Sequence, residues 1–114
     1  LETKGADVPG LCRRFGVLVG ALHRAGFIHG DLTTSNVHVD GDRTVLLDFG
    51  LAQRSREVEE QGVDLHLVER TFESSHPSIP GTFDAFLDGY REGFPDARLV
   101  ERRMNDIKAR ARYA

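Results

Sequence analysis

The sequence predicts an α+β, mostly helical fold that carries one short β-hairpin. Three observations predict it. Apolar residues recur at helical spacing in several stretches. Two short β-prone runs flank an Asp-Gly pair. The four prolines, at positions 9, 77, 80 and 95, fall between these segments, where helices and strands must stop.

Taken in order, residues 1–10 contain Gly5 and Pro9 and show no periodicity, which predicts a linker. Leu11, Phe15, Leu18, Leu22 and Ala25 then follow at spacings of four, three, four and three, the stripe of an amphipathic helix on a core. Gly26 is placed to stop it. Phe27-Ile28 reads as a short buried strand or an extended entry to the His29 loop. Val37-His38-Val39 and Thr44-Val45-Leu46-Leu47 are strand-like, and Asp40-Gly41-Asp42-Arg43 between them is a hairpin turn. Residues 51–61 are polar and predict an exposed, mobile segment. A deeply buried helix is expected from near Gly62, through Val63, Leu65, Leu67, Val68 and Phe72. His76 to Gly81, with two prolines, predicts a loop. Phe83, Phe86, Leu87, Tyr90 and Phe94 mark another amphipathic helix, closed near Gly93 and Pro95. A last helix from about Asp96 turns Val100, Met104, Ile107 and Ala111 inward. The division expected is one domain: linker 1–10, catalytic and helical core 11–94, basic C-terminal helix and tail 95–114.

Bulk properties narrow the class. With 39% apolar and 29% charged residues the chain fits a globular domain and excludes wholesale disorder. The formal net charge of -3 predicts no partner by itself. Charge is uneven, however: from Arg98 to Arg112 six basic residues face two acidic ones. Such a run is a solvated helix face or a contact for nucleic-acid phosphates, with Lys108, Arg110 and Arg112 the candidates. The single Cys12 excludes an internal disulfide and suits a reducing, cytoplasmic compartment. No stretch approaches the ~20 apolar residues of a membrane helix. The start, Leu1-Glu2-Thr3-Lys4, lacks both Met and an apolar signal region, as expected of a fragment or processed chain. The five histidines show no zinc-type spacing.

The chemistry concentrates in two stretches, His29-Gly30-Asp31-Leu32-Thr33-Thr34-Ser35-Asn36 and Asp48-Phe49-Gly50. Asp31 follows a short strand, where a carboxylate can accept the proton of an attacking hydroxyl or water. Asn36 follows five positions later and Asp48 twelve after that. The predicted hairpin brings Asn36 and Asp48 to its open end. A neutral and a charged oxygen there suit Mg²⁺, which takes few protein ligands and fills its shell with phosphates and water. Each residue alone reads as an ordinary turn or cap; the set in register does not. Asp64 caps its helix or reaches the backbone of the His29 loop.

These stretches, with Leu47-Asp48-Phe49-Gly50-Leu51-Ala52, Val63-Asp64-Leu65, Glu69-Arg70 and Ser75-His76-Pro77, resemble the small atypical kinase of the KEOPS complex, the p53-related protein kinase family. The resemblance runs from about Leu11 to the basic tail and covers only that family's C-terminal lobe. It implies the lower lobe of a protein-kinase-like fold, with a short hairpin beside the catalytic loop and no long activation segment. It implies binding of ATP and Mg²⁺, with Asp31 catalytic and Asn36 and Asp48 holding the metal and nucleotide. His29, Asp64 and Gly50 would support the site. The implied activity is that of a Ser/Thr kinase or ATPase supporting threonylcarbamoyladenosine formation on tRNA. Implied partners are the threonylcarbamoyl-transferase subunit, separate or fused, other KEOPS subunits, and tRNA through the basic tail.

Two departures from ordinary kinases matter. Thr33 stands where they carry Lys, and Gly30 where they carry Arg. No Gly-rich loop and no ATP-binding Lys strand are present in these residues, so the chain alone is expected to be inactive and to bind ATP weakly. Two other readings stay open: a small-molecule phosphotransferase of the aminoglycoside or choline kinase type, and a non-catalytic kinase-lobe scaffold.

Overall fold

A computed structural model describes residues 8–40, 43–75 and 81–112. Helix α1 spans Val8–Arg24 and strand β1 Phe27–Ile28. A 3₁₀ turn at Thr34–Asn36 leads into β2 (Val37–Asp40) and β3 (Arg43–Leu46). Strand β4 (Gln53–Arg54) precedes α2 (Val58–Ser75), α3 (Thr82–Gly93) and α4 (Ala97–Arg112). The fold is mostly helical with a small antiparallel hairpin.

The strands form two antiparallel ribbons. In the hairpin Val37 pairs with Leu46 and Asp40 with Arg43. Its turn residues 41 and 42 lie outside the described residues, as do residues 1–7 and most of the expected 76–81 loop. In the second ribbon Phe27 pairs with Arg54 and Ile28 with Gln53.

Helices α1 and α3 make the most extensive contact in the fold, and the buried face of α1 shares Leu11 and Phe15 with the expected one but departs from it at Leu18, Leu22 and Ala25. Leu11, Cys12, Phe15, Gly16, Val19, Gly20 and His23 are buried, whereas Leu18 and Leu22 are half-buried and Ala25 is exposed. The cause is glycine. A Cβ on Gly16 would strike the Phe86 carbonyl of α3, and one on Gly89 would strike the Arg13 carbonyl of α1. The two backbones touch, so the bulkier leucines sit at the flanks. Phe15 packs edge-on to Phe86 with centroids 5.0 Å apart, and Val68 and Phe72 of α2 with Val100 and Met104 of α4 complete the core. Each such side chain, fully buried, contributes roughly 1.5–3 kcal/mol.

Four other expectations are corrected. Helix α1 reaches back to Val8, so residues 8–10 are helical. Residues 51–61 are not one exposed segment: Gln53 and Arg54 pair with β1, and α2 begins at Val58. Between Ala52 and Val63 the one apolar residue is Val58, which packs against the core beside the buried Gln61, so the start of α2 shows no apolar pattern. Only one face of α2 is buried; Val63 is exposed and Leu67 half-buried, and on α4 Ala111 is exposed.

Candidate active site

Strand β1 delivers the chain to His29, which is fully buried. The next residue, Gly30, has φ +90°, and a Cβ there would press on the Leu51 carbonyl. A residue with a side chain is thus excluded on both counts, which accounts for the absence of Arg at this position. Asp31 follows, exposed, then Leu32, buried as an anchor.

His29 ties this loop to the end of the hairpin. Its Nε2–H donates to the Leu47 carbonyl at 2.9 Å, so Nδ1 is the acceptor and takes the Asp31 N–H at 3.3 Å. This sets a neutral tautomer. The His29 ring also lies against Phe49, centroids 4.9 Å apart. The Leu47 N–H donates to the Asn36 carbonyl at 2.7 Å, which extends the hairpin and sets Asn36 beside the residue preceding Asp48. The expected hairpin is present, and its open end joins Asn36 to Leu47.

Asp48 is the one described non-glycine residue with positive φ, at +61°. Asp tolerates this region better than most residues, but such a conformation still costs about 1–3 kcal/mol and is concentrated at functional sites. The Asp31 and Asp48 carboxylates are exposed, and neither is hydrogen-bonded or ion-paired to a described residue. Val45, Leu47, Phe49 and Leu51 are exposed around Asp48. Gly50 is sterically unremarkable: a Cβ would meet only Asp48 Oδ1 at 3.6 Å.

Asn36 is buried, and its Oδ1 accepts from the Thr33 N–H at 2.8 Å and the Thr33 hydroxyl at 3.1 Å. Both lone pairs are thus engaged. Rotation of the Thr33 hydroxyl hydrogen frees one of them without moving a heavy atom. Among the described residues no three His, Cys, Asp or Glu side chains converge to hold a metal. The donor set of one amide oxygen and one carboxylate fits a Mg²⁺ whose remaining ligands come from phosphates and water.

The bracing of the loop comes from α2. Asp64, buried in mid-helix, is no N-cap. Its Oδ2 accepts from the His29 N–H at 2.8 Å and its Oδ1 from the Gly30 N–H at 3.0 Å. Two residues that sequence reasoning missed complete the brace. His23 Nε2–H donates to Asp64 Oδ2 at 2.9 Å, and the Tyr90 hydroxyl donates to His23 Nδ1 at 2.7 Å. Burial, followed by the Asp64 charge, pushes the Tyr90 hydroxyl well above its ordinary pKa, so it keeps its proton. His23 was detectable: it continues the Phe15–Val19 face by one helical step.

Two of the three basic-tail candidates hold carboxylates of α2. Lys108 pairs with Glu69 at 2.8 Å, and Arg110 with Glu59 at 2.7 Å, joined by Arg103 at 3.2 Å. The hydrogen bond from Arg110 leads the effects that hold the Glu59 carboxyl below its usual range. The Arg112 side chain lies outside the described residues.

The molecule is thus a mostly helical domain with two solvent-facing carboxylates on braced loops. No protein-family model matches the chain. A Methanosarcina barkeri protein described as "Probable bifunctional tRNA threonylcarbamoyladenosine biosynthesis protein" is 50% identical over 106 residues, 93% of this chain and 19% of that protein. The Aspergillus clavatus and Aspergillus oryzae proteins described as "EKC/KEOPS complex subunit bud32" are 44% and 41% identical, over 90% and 98% of this chain and 43% and 46% of their own lengths. The chain is a homologue of one region of these proteins and spans less than half the length of each.

Proposed function

We propose that the chain is the lower, kinase-like lobe of an ATP-dependent phosphoryl-transfer protein serving tRNA threonylcarbamoyladenosine biosynthesis in a KEOPS-type complex. The observation that carries this reading is the pair of exposed carboxylates, Asp31 and Asp48, without a partner among the described residues; the buried Asp64 braces the loop of the first, and His29 ties that loop to Leu47 beside the second. Phosphoryl transfer is mostly positioning and charge stabilisation, so a rigid loop presenting free carboxylates is what it needs. Asp31 would orient the attacking hydroxyl or water and accept its proton. Asn36 and Asp48 would hold Mg²⁺, which when bound neutralises charge on the ATP phosphates. His29 keeps the two loops in register. The relatives' names favour tRNA modification over small-molecule phosphorylation, and the intact carboxylates speak against a mere scaffold. The threonylcarbamoyl-transferase and other KEOPS subunits are the proposed partners.

The test uses the full-length protein. Asp48→Asn should abolish Mg²⁺-dependent ATP turnover with native circular dichroism, because Asn also tolerates the left-handed backbone. Asp31→Ala should lower kcat while nucleotide affinity is kept. Undiminished turnover in a folded Asp48→Asn variant would refute the metal assignment, and an Asp31→Ala effect confined to affinity would reassign that residue.

A further inference from the structure

The β1–β4 ribbon has two ends. One enters the His29 loop. At the other, a shallow open cleft of about 530 Å³ is lined by Ala25, Gly26, Phe27, Arg54, Ser55 and Arg56. Among the described residues no carboxylate lines it. The acid on the neighbouring helix, Glu60, is occupied by the Gln53 amide at 2.8 Å and the Ser55 hydroxyl at 3.0 Å. Arg56 donates from Nη1 to the Arg24 carbonyl at 3.2 Å, which pins its guanidinium over Gly26 and leaves further N–H groups to donate. The Arg54 guanidinium stands 5.9 Å over the exposed Phe27 ring. Arg24, also exposed, ends α1 beside the cleft.

None of these three arginines is ion-paired to a described residue, whereas Arg91, Arg103, Lys108 and Arg110 all hold carboxylates. The depression on α4 between Arg98 and Arg102 has Glu101 in its wall. Uncompensated positive charge and an exposed aromatic ring therefore meet at one opening.

We infer that this cleft binds the phosphodiester backbone of an RNA strand, through Arg24, Arg54 and Arg56, with Phe27 as the base-facing surface. Guanidinium forks match phosphate oxygens, and an exposed ring is what unstacked bases use. An acidic peptide would use the charges but has no need of the ring. The choice of RNA rests on the tRNA reading above; the cleft itself is independent of Asp31 and Asp48. The tail residues Lys108 and Arg110, already paired, are the poorer phosphate contacts.

In the full-length protein, binding of an unmodified tRNA transcript is followed by fluorescence anisotropy across a salt series, for wild type, Arg54→Glu and the Arg24→Glu/Arg54→Glu pair. Arg56 is left in place because it closes the end of α1. Each reversal should flatten the slope of log K against log salt by about 0.7–0.9 or more, and the pair should weaken binding about tenfold or more. Phe27→Leu should weaken binding with the slope unchanged. ATP turnover without RNA should stay at the wild-type level, which separates this site from the phosphoryl-transfer reading. If the wild type turns over no ATP yet loses tRNA on charge reversal, only that earlier reading fails. Wild-type affinity and slope in the double variant would overturn the inference. So would a polyglutamate peptide that binds as tightly as tRNA and is lost on the same reversals.

Discussion

Asp64 is the residue on which the candidate site depends. Its carboxylate satisfies two backbone N–H groups and an imidazole in a space closed to water. Replacing it with alanine strands all three donors, and a broken buried polar set of this kind costs about 3–5 kcal/mol. Asp64→Ala should therefore lower the melting temperature by ten degrees or more in a domain of this size, roughly 4–8 °C for each kcal/mol. Tyr90→Phe is the milder probe. It conserves volume and leaves only His23 Nδ1 without its donor, at about 1–3 kcal/mol. A melting temperature unchanged in Tyr90→Phe would remove the hydroxyl from the brace. Cys12 gives a second test at this scale. Burial pushes its thiol from 9.0 up to about 11. Between those values the unfolded chain releases the proton and the folded chain keeps it, so stability falls as pH rises through that window. At pH 8 a thiol reagent should label Cys12 only after denaturant is added.

At the scale of elements, α1 and α3 are held close by glycine. Alanine at Gly89 would gain up to about 1 kcal/mol in helix propensity. It would also drive a methyl group into the Arg13 carbonyl, and overpacking costs about 1–3 kcal/mol or more. Packing wins, so Gly89→Ala should destabilise, read as a lower denaturant midpoint at unchanged m-value. An unchanged or raised midpoint would mean the helices can part at little cost. This seam also marks the limit of what the sequence discloses. The hairpin was legible because β-prone runs flanked an Asp-Gly turn, and the amphipathic character of α3 because its aromatics are spaced by helical turns. The true face of α1 was not, since an apolar stripe gives glycine no weight. β4 was illegible because two polar residues carry no period. Asp64 was legible as a residue touching the His29 loop but not as a mid-helix residue, because the polar first turn of α2 looks like loop.

Across the whole molecule, three ion-pair clamps fasten α4: Arg91 with Glu101 at 2.6 Å from α3, and Glu59 and Glu69 from α2. They give the basic side of α4 carboxylate neighbours, while Ala97, Val100 and Met104 of the same helix lie in the core. Among the described residues no helix is long and apolar enough to cross a membrane. The apolar residues around Asp48 remain exposed, on the face where the kinase-like reading places the second half of a nucleotide site. The motifs pointed to Asp31, Asn36 and Asp48 because metal and phosphate chemistry is tied to residue type and spacing. They could not point to Tyr90, whose part is set only by the packing of α3 on α1.

The line from Tyr90 through His23 and Asp64 to the His29 loop couples surface order to core order. Loops ordinarily open by local fluctuation, and their amides exchange with solvent quickly. Here the amides of His29 and Gly30 are held by a side chain in the middle of α2, itself held from α1 and α3. They cannot be released unless three helices separate. In a hydrogen-exchange experiment these two loop amides should exchange at the rate of global unfolding, alongside the slowest amides of α1. Fast exchange at His29 and Gly30 with a protected α1 would show that the loop opens on its own. The expected result would mean that this site cannot soften before the protein melts.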